Sequence, residues 1–333
     1  MSDIGFGVIG LGRMGTLHAQ HLGGMITGGR LVAGAVDPRD LEGLRARQDF
    51  AYPVVGSVEE LLANPEVEAV VIASPTSVHD EHIRLAAAQR MPIFCEKPLA
   101  DSVARAAAAV QGVEQTGVPF QIGFHRRFDE GYARARDLIQ EGQIGEPELF
   151  RGITADHIPP FEYLRTSGGL FWDLGVHDFD AARFLMDDDV VAVHAAGAIK
   201  VEPRLAEIRD IDYGVTTLRF RKGSLGVVQN SWRAPWGCEI RAEVCGSKGR
   251  VVTEQDEKVR TRLYTEEGII SERHQRFLER FREAYRRELQ AFVDALHSGV
   301  APSPGPQDGL KAIQVSEAAT VSSRENRWVD IDP

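Results

Sequence analysis

Short apolar runs and helix-period stretches alternate over the first third of the chain. Phe6–Ile9, Leu31–Val36, Val67–Ala73, Ile93–Cys95 and Phe120–Ile122 read as strands. Met14–Leu22, Ser57–Ala63, Val78–Gln89 and Ser102–Thr116 carry the spacing of helices between them. Short strands that are apolar on both faces, joined by crossover helices, predict a parallel doubly wound sheet.

The pattern changes after Phe124. Phe128–Glu141 reads as one helix, 156–169 as a loop with Pro and Gly, and Leu170–Met186 as a second helix opened by Gly168 and Gly169. Strand-like runs then follow with little helix between them: Val190–Lys200, Tyr213–Phe220, Leu225–Ser231, Glu239–Cys245, Gly249–Thr253 and Arg260–Tyr264. Consecutive strands without helical crossovers predict a mainly antiparallel sheet. Arg276–Leu296 reads as a charged amphipathic helix and Asp308–Ser322 as a last one. The fold class expected is α/β: a Rossmann domain at 1–123, then an α+β domain at 124–333 with a large open sheet. Helices are expected to cover one face of that sheet, leaving the other as an apolar surface for a partner subunit.

The first strand runs directly into Gly10-Leu11-Gly12-Arg13-Met14-Gly15, and the second stops on Asp37. This is strand, glycine turn, helix, strand, acid. The first glycine allows the tight turn, the second lets backbone approach a pyrophosphate, and the third lets helix and strand pack closely. Unpaired amides and the helix dipole at the turn favour phosphate. The acid can accept from the ribose hydroxyls. A dinucleotide, NAD, is the cofactor expected, with Asp37 disfavouring a 2′-phosphate and Arg39 the residue that could offset it.

Ligands bind such sheets at the carboxyl ends of the strands. Ser74-Pro75-Thr76 and Glu96-Lys97-Pro98 therefore belong to the cofactor crevice. The cofactor set expected is Gly10, Gly12, Arg13, Met14, Gly15, Asp37, Pro38, Ser74, Thr76, His79, Glu96 and Lys97.

Net charge is −11, from 38 Lys and Arg against 49 Asp and Glu, which argues against nucleic acid as a general partner. Three cysteines, Cys95, Cys238 and Cys245, have no metal-like spacing and fit a reducing compartment. No signal peptide or membrane-length apolar run stands out, so a soluble cytoplasmic protein is expected.

An ammonium at Lys97 can stabilise charge on the oxygen that changes between alcohol and ketone. As a bare tripeptide, Glu96-Lys97-Pro98 is equally a surface turn. Asp173 and His177 are four apart on one helix face, and a carboxylate-oriented histidine suits a general base. The plain alternative is a solvated acid–imidazole pair. Arg127, Asp156, His157, Tyr163 and Trp236 are the further candidates for binding a polyol, with ion pairing or loop anchoring as their ordinary roles. His79 and His82 resemble half a metal site without a third ligand, and no metal is assigned.

Gly10–Gly15, Glu96-Lys97-Pro98, Gly123–Phe128 and Gly168–Asp180 together resemble the Gfo/Idh/MocA oxidoreductase family, with the inositol dehydrogenases as the nearest pattern within it. Pro159–Tyr163 and Glu243–Gly249 share that likeness, whereas Thr154–Ile158 and Trp236 depart from it. The resemblance implies NAD(P)-dependent alcohol–ketone conversion on polyols and sugars. It implies Lys97, Asp173 and His177 as the catalytic set, a cis peptide before Pro98, and homotetramers built through the open sheet. The function expected is NAD-dependent oxidation of an inositol-like polyol. Alternatives are a monosaccharide or anhydrosugar such as levoglucosan, an NAD-dependent glycosidase, and a ligand sensor without catalysis.

Overall fold

The computed structural model describes residues 2–36, 52–253 and 257–331. It divides into two compact units, Met1–His125 with Tyr285–Leu310, and Arg126–Ala284 with Lys311–Pro333.

The first unit holds six parallel strands: β1 (Ile4–Ile9), β2 (Gly29–Ala35), β3 (Val54–Val55), β4 (Ala69–Ile72), β5 (Ile93–Glu96) and β6 (Phe120–Gly123). Their order is β3-β2-β1-β4-β5-β6, so the winding reverses between β1 and β4. Every residue of β4, β5 and β6 is buried, as a strand covered on both faces requires. The connecting helices are Arg13–Leu22, Val58–Leu62, His79–Ala88 and Val103–Thr116. Ser57 and Ser102 cap two of them, accepting from Glu60 N and Arg105 N. Gly117, at φ +67°, closes the last.

Two apparently unrelated parts of the sequence build this core. Leu289, Phe292 and Val293 join Phe6, Val8, Ala19 and Phe94 in one buried cluster. The Phe292 ring lies edge-on to Phe6 and Phe94, with centroids 6.2 and 5.9 Å away. The chain passes from the first unit to the second after His125, and the units are not contiguous. The segment Tyr285–Leu310 returns to the first because its apolar face fills that core. The single helix expected at Arg276–Leu296 is two, Phe277–Arg280 and Arg282–Ser298, with the fully buried Phe281 at the break.

The second unit carries β7 (Pro147–Ala155), β8 (Val190–Ala198), β9 (Tyr213–Phe220), β10 (Leu225–Ser231), β11 (Glu239–Gly246), β12 (Gly249–Thr253) and β15 (Val329–Asp330), in the order β12-β11-β7-β10-β9-β8-β15. All neighbours are antiparallel except β7 and β10, which run parallel. A hairpin, β13 (Glu257–Thr265) with β14 (Gly268–Arg273), stands apart. The sequence reading missed β7, although it is central, because Pro147, Glu148, Arg151 and Gly152 break its apolar alternation.

Helices Glu130–Gln140, Val176–Met186 and Pro306–Glu325 cover one sheet face, packing Tyr132, Phe179, Leu185 and Val315 against Phe150, Leu218, Phe220 and Val244. The other face is mixed, with Leu149, Ile153 and Val227 half-buried on it. Val215 and Leu225 are exposed there beside Arg151, Arg219, Gln229 and Arg241. Arg151 pairs with Glu243 across β7 and β11 at 2.7 Å. Four more exposed apolar side chains are on the hairpin, at Leu263, Tyr264, Ile269 and Ile270. Among the described residues no helix is long and apolar enough to cross a membrane.

Candidate active site

The glycine turn follows β1, beside the point where the sheet reverses direction. Gly10 has φ +87°, and a Cβ there would meet the Ser74 backbone at 2.6 Å. A Cβ on Gly15 would lie 1.8 Å from the Gly10 carbonyl oxygen, so helix and turn touch as backbone. Gly12 faces open space, with nothing within 4 Å of a Cβ position. The helix Arg13–Leu22 starts there without a side-chain cap. Its first amides and the bare backbone at Gly12 fit a pyrophosphate. Gly12 and Arg13 are exposed and Met14 is half-buried. Asp37, Pro38 and Arg39 lie outside the described residues.

Lys97 is half-buried just past β5, and the Lys97–Pro98 peptide is cis, as the resemblance implied. A second cis bond, Ser303–Pro304, was not anticipated. Glu96 does not face an open crevice. Its carboxylate is buried, and Oε1 lies 2.6 Å from His18 Nε2 on the glycine-turn helix. His79 is buried too, with Nδ1 2.9 Å from the Pro98 carbonyl and Nε2 2.8 Å from that of Ser74. It lies between the turns after β4 and β5, and a neutral ring donates to one of the two carbonyls. Burial lowers its pKa, while the two carbonyls pull the other way. The Ser74 hydroxyl is 2.9 Å from His82 Nδ1, and burial, then the neighbouring His79, lowers the pKa of His82. Thr76 begins a short 3-10 turn after Ser74.

Sequence reading missed Glu288, on the helix Arg282–Ser298. One atom each of His18, Glu96 and Glu288 lie within 4.8 Å of one another. The short His18–Glu96 contact is that of a charge-assisted hydrogen bond. Glu288 is fully buried, and neither side-chain oxygen has a hydrogen-bond partner among the described residues. Burial, and then the charge of Glu96, pushes its carboxyl well above the usual carboxylate range. Two adjacent buried carboxylates cannot readily both be charged, so Glu288 holds the proton.

In the second unit, Gly168 and Gly169 have φ +85° and +100°. A Cβ on Gly169 would meet Asp210 Oδ1 at 2.8 Å. The backbone approach that the glycine pair allows is thus to Asp210, which accepts from Leu170 N at 3.1 Å. Asp210 was absent from the sequence candidates. Burial raises its pKa, and the charge of Asp173 adds to that. The helix expected from Leu170 begins as a π-helical turn, Phe171–Gly175, and continues as Val176–Met186. Asp173 and His177, both half-buried, thus flank a change of helix type, a feature frequent at functional sites.

Both arginines after β6 are held by acids of that helix. Arg126 meets Asp178 Oδ1 at 2.6 Å, and Thr154 and Asn230 also donate to Asp178. Arg127, a substrate-binding candidate, makes a two-point contact with Asp180, at 2.9 and 2.6 Å. Its guanidinium is held there and lies over the Phe184 ring. Asp156 is buried and accepts from His157 N at 2.7 Å, leaving His157 more than half exposed. Tyr163 and Trp236 are exposed, and Trp236 donates to Glu239. Cys95, Cys238 and Cys245 are free thiols.

Two family models match the chain. The oxidoreductase family's NAD-binding Rossmann fold matches residues 4–124, and its C-terminal alpha/beta domain matches 136–331. The chain belongs to the Gfo/Idh/MocA oxidoreductase family, and its cofactor is NAD. It is 36% identical to myo-inositol 2-dehydrogenase of Thermotoga maritima, covering 98% of each chain. It is 36% identical to scyllo-inositol 2-dehydrogenase (NAD(+)) of Bacillus subtilis, over 98% of this chain and 95% of that one. Scyllo-inositol dehydrogenase of Lactobacillus casei, solved with bound NAD(H) and scyllo-inositol, superposes with a TM-score of 0.92 at 28% identity over 99% of each chain.

The proton on Glu288 predicts a pH-dependent stability. Its folded-state pKa lies above the ordinary 4.5. Below the unfolded value the group is protonated in both states and carries no penalty. As pH rises toward the folded value, the native state must hold its proton or a buried charge, and stability falls. Glu288→Gln removes this loss. The melting-point difference, variant minus wild type, should grow in the variant's favour as pH rises from about 4.5. A difference that is flat or of opposite slope would show Glu288 to be charged and paired.

Proposed function

We propose that the chain oxidises one hydroxyl of an inositol-like cyclic polyol to the ketone by hydride transfer to NAD. The observation that carries this reading is the likeness, over nearly its full length, to relatives named as inositol dehydrogenases. Lys97, Asp173 and His177 are the residues assigned to the chemistry. When bound, NAD supplies the two-electron acceptor. His177 takes the hydroxyl proton as general base. Lys97 holds the reacting oxygen and stabilises the negative charge that develops on it. Asp173 orients His177 or binds a neighbouring hydroxyl. Asp156, His157, Tyr163 and Trp236 are assigned to the remaining hydroxyls and ring face of the polyol. Arg127 fits that role less well, since Asp180 already occupies its fork.

A panel of free inositols, pyranoses and levoglucosan, followed by absorbance with NAD and with NADP, tests the substrate and cofactor together. The expected result is net NADH formation with an inositol and a higher kcat/KM with NAD, since Asp37 should repel a 2′-phosphate. Turnover of pyranoses or levoglucosan alone would replace the inositol assignment with the sugar reading. Cleavage of a glycoside without net NADH would make the enzyme a glycosidase.

The roles separate by variant. Lys97→Ala should lower kcat by about 10² to 10³ while NAD still binds, because phosphate recognition rests on the glycine turn. His177→Ala should lower kcat by about 10² to 10⁴, the range of a lost general base. Near-normal kcat in either variant removes that residue from the set.

The protein is further read as a homotetramer. The exposed Leu263, Tyr264, Ile269 and Ile270 of the hairpin, with Val215 and Leu225 on the open sheet, support association. Light scattering at micromolar concentration should give a mass near four chains, and a mass of one 36.7 kDa chain would refute the reading.

A further inference from the structure

We propose that His18 and His79 are positioning residues for Lys97, holding its chain neighbours Glu96 and Pro98 from two different helices. The proposal rests on the catalytic reading of Lys97. His18 lies on the helix Arg13–Leu22 and reaches the Glu96 carboxylate with Nε2. His79 opens the helix His79–Ala88 and reaches the Pro98 carbonyl with Nδ1. Both imidazoles are buried, at 0% and 1% exposure, so water does not compete for these contacts.

Lys97 needs such support. It sits past the end of β5, and its own side chain is a flexible four-carbon stem. Placement of the ammonium then depends on the backbone that bears it. The residues before and after it are each fixed by a directional polar contact, and each contact comes from an element that frames another cofactor turn. The helix of His18 begins at the glycine turn, and His79 also meets the Ser74 carbonyl with Nε2. With Nδ1 carrying its one proton, neutral His79 donates to Pro98, so the two imidazoles hold both chain neighbours of Lys97. A misplacement of about 1 Å at a reacting group can cost roughly 10²-fold in rate without weakening cofactor binding equally.

The two histidines use different ring nitrogens on Lys97's neighbours, and this gives an opposed pair of tests. Glutamine places an amide near the Nε2 position, and asparagine places one near Nδ1. His18→Gln should recover most of the rate, and His18→Asn should lose at least about tenfold in kcat. At position 79 the order inverts: His79→Asn retains the reach to Pro98, whereas His79→Gln retains only the reach to Ser74 and should lose at least about tenfold. NADH affinity, read by fluorescence titration, should stay within about threefold in the two His18 variants and fall by less than kcat does in His79→Gln, since the pyrophosphate is held at the glycine turn. Melting temperatures identify loss of fold, and kcat is expressed per NADH-binding site.

Inverted Gln and Asn orders, with kcat moving more than NADH affinity, would support the proposal. The same order at both positions, parallel loss of kcat and NADH affinity, or unchanged kcat in the two disfavoured variants would overturn it. Lys97→Ala, assayed alongside, separates the two levels. If it retains turnover, the catalytic reading of Lys97 fails. If it loses turnover while the histidine variants do not, the positioning inference alone fails.

Discussion

The first unit depends on the approach of Gly15 to the carbonyl of Gly10. A Cβ at Gly15 would sit 1.8 Å from that oxygen, far inside any contact distance. Because no side chain stands there, the helix Arg13–Leu22 begins directly over the end of β1. Several other features follow from that seating. The unpaired helix amides reach the edge of the sheet where the winding reverses, and Gly12 is left open beside them. Leu11 packs onto Gly34 of β2, where a Cβ would meet its Cδ1 at 2.6 Å. One turn further, His18 comes within hydrogen-bonding distance of Glu96. A single missing methyl group thus sets the phosphate turn and the support for the residue before Lys97.

The second unit uses buried charge to a similar end. Asp178 and Asp180 are each 1% exposed, on the helix that carries His177. Asp178 takes three donors, from Arg126, Thr154 and Asn230. Asp180 takes both arms of Arg127. Desolvating such ions offsets much of their attraction, and apolar replacements are often as stable. Losing one partner is different, costing about 3–5 kcal/mol because the other charge is left buried alone. The geometry of the pairs is directional, with a two-point contact at Arg127 and three donors on Asp178. They specify how the helix is rotated, and so which residues it leaves toward the surface.

Much of this was legible in the sequence, where the physical signal is local. The β1 turn was readable because glycine spacing reports backbone conformation directly. The fully apolar β4, β5 and β6 were readable because a strand covered on both faces needs no polar residue. Strand β7 was not, since its partners β10 and β11 lie far along the chain and Pro147, Arg151 and Gly152 mask its alternation. The return of Tyr285–Leu310 to the first unit was hidden for the same reason: the helix shows an apolar face but not what that face covers. At the site, residue types were informative and their partners were not. Arg127 had both a polar pocket and an ion pair open to it, and the sequence did not name Asp180 as its partner, nor His18 as that of Glu96. Asp210 and Glu288 gave no local signal, because only burial makes an ordinary acid unusual.

The candidates for chemistry share an environment that residue type alone does not convey. Lys97 and His177 are both half-buried, and each is flanked in the chain by fully buried polar groups that are tied down: Glu96 beside Lys97, and Asp178 beside His177. Apolar packing would hold such segments in place but would fix their rotation less sharply, since dispersion contacts are non-directional and individually weak. A hydrogen bond to a buried charge is directional, and breaking it is costly. Placing one next in sequence to a reactive side chain converts that cost into angular precision at the neighbouring residue. A buried, hydrogen-bonded acid next to a half-buried base or ammonium thus constrains the local backbone more than the base or ammonium does by itself.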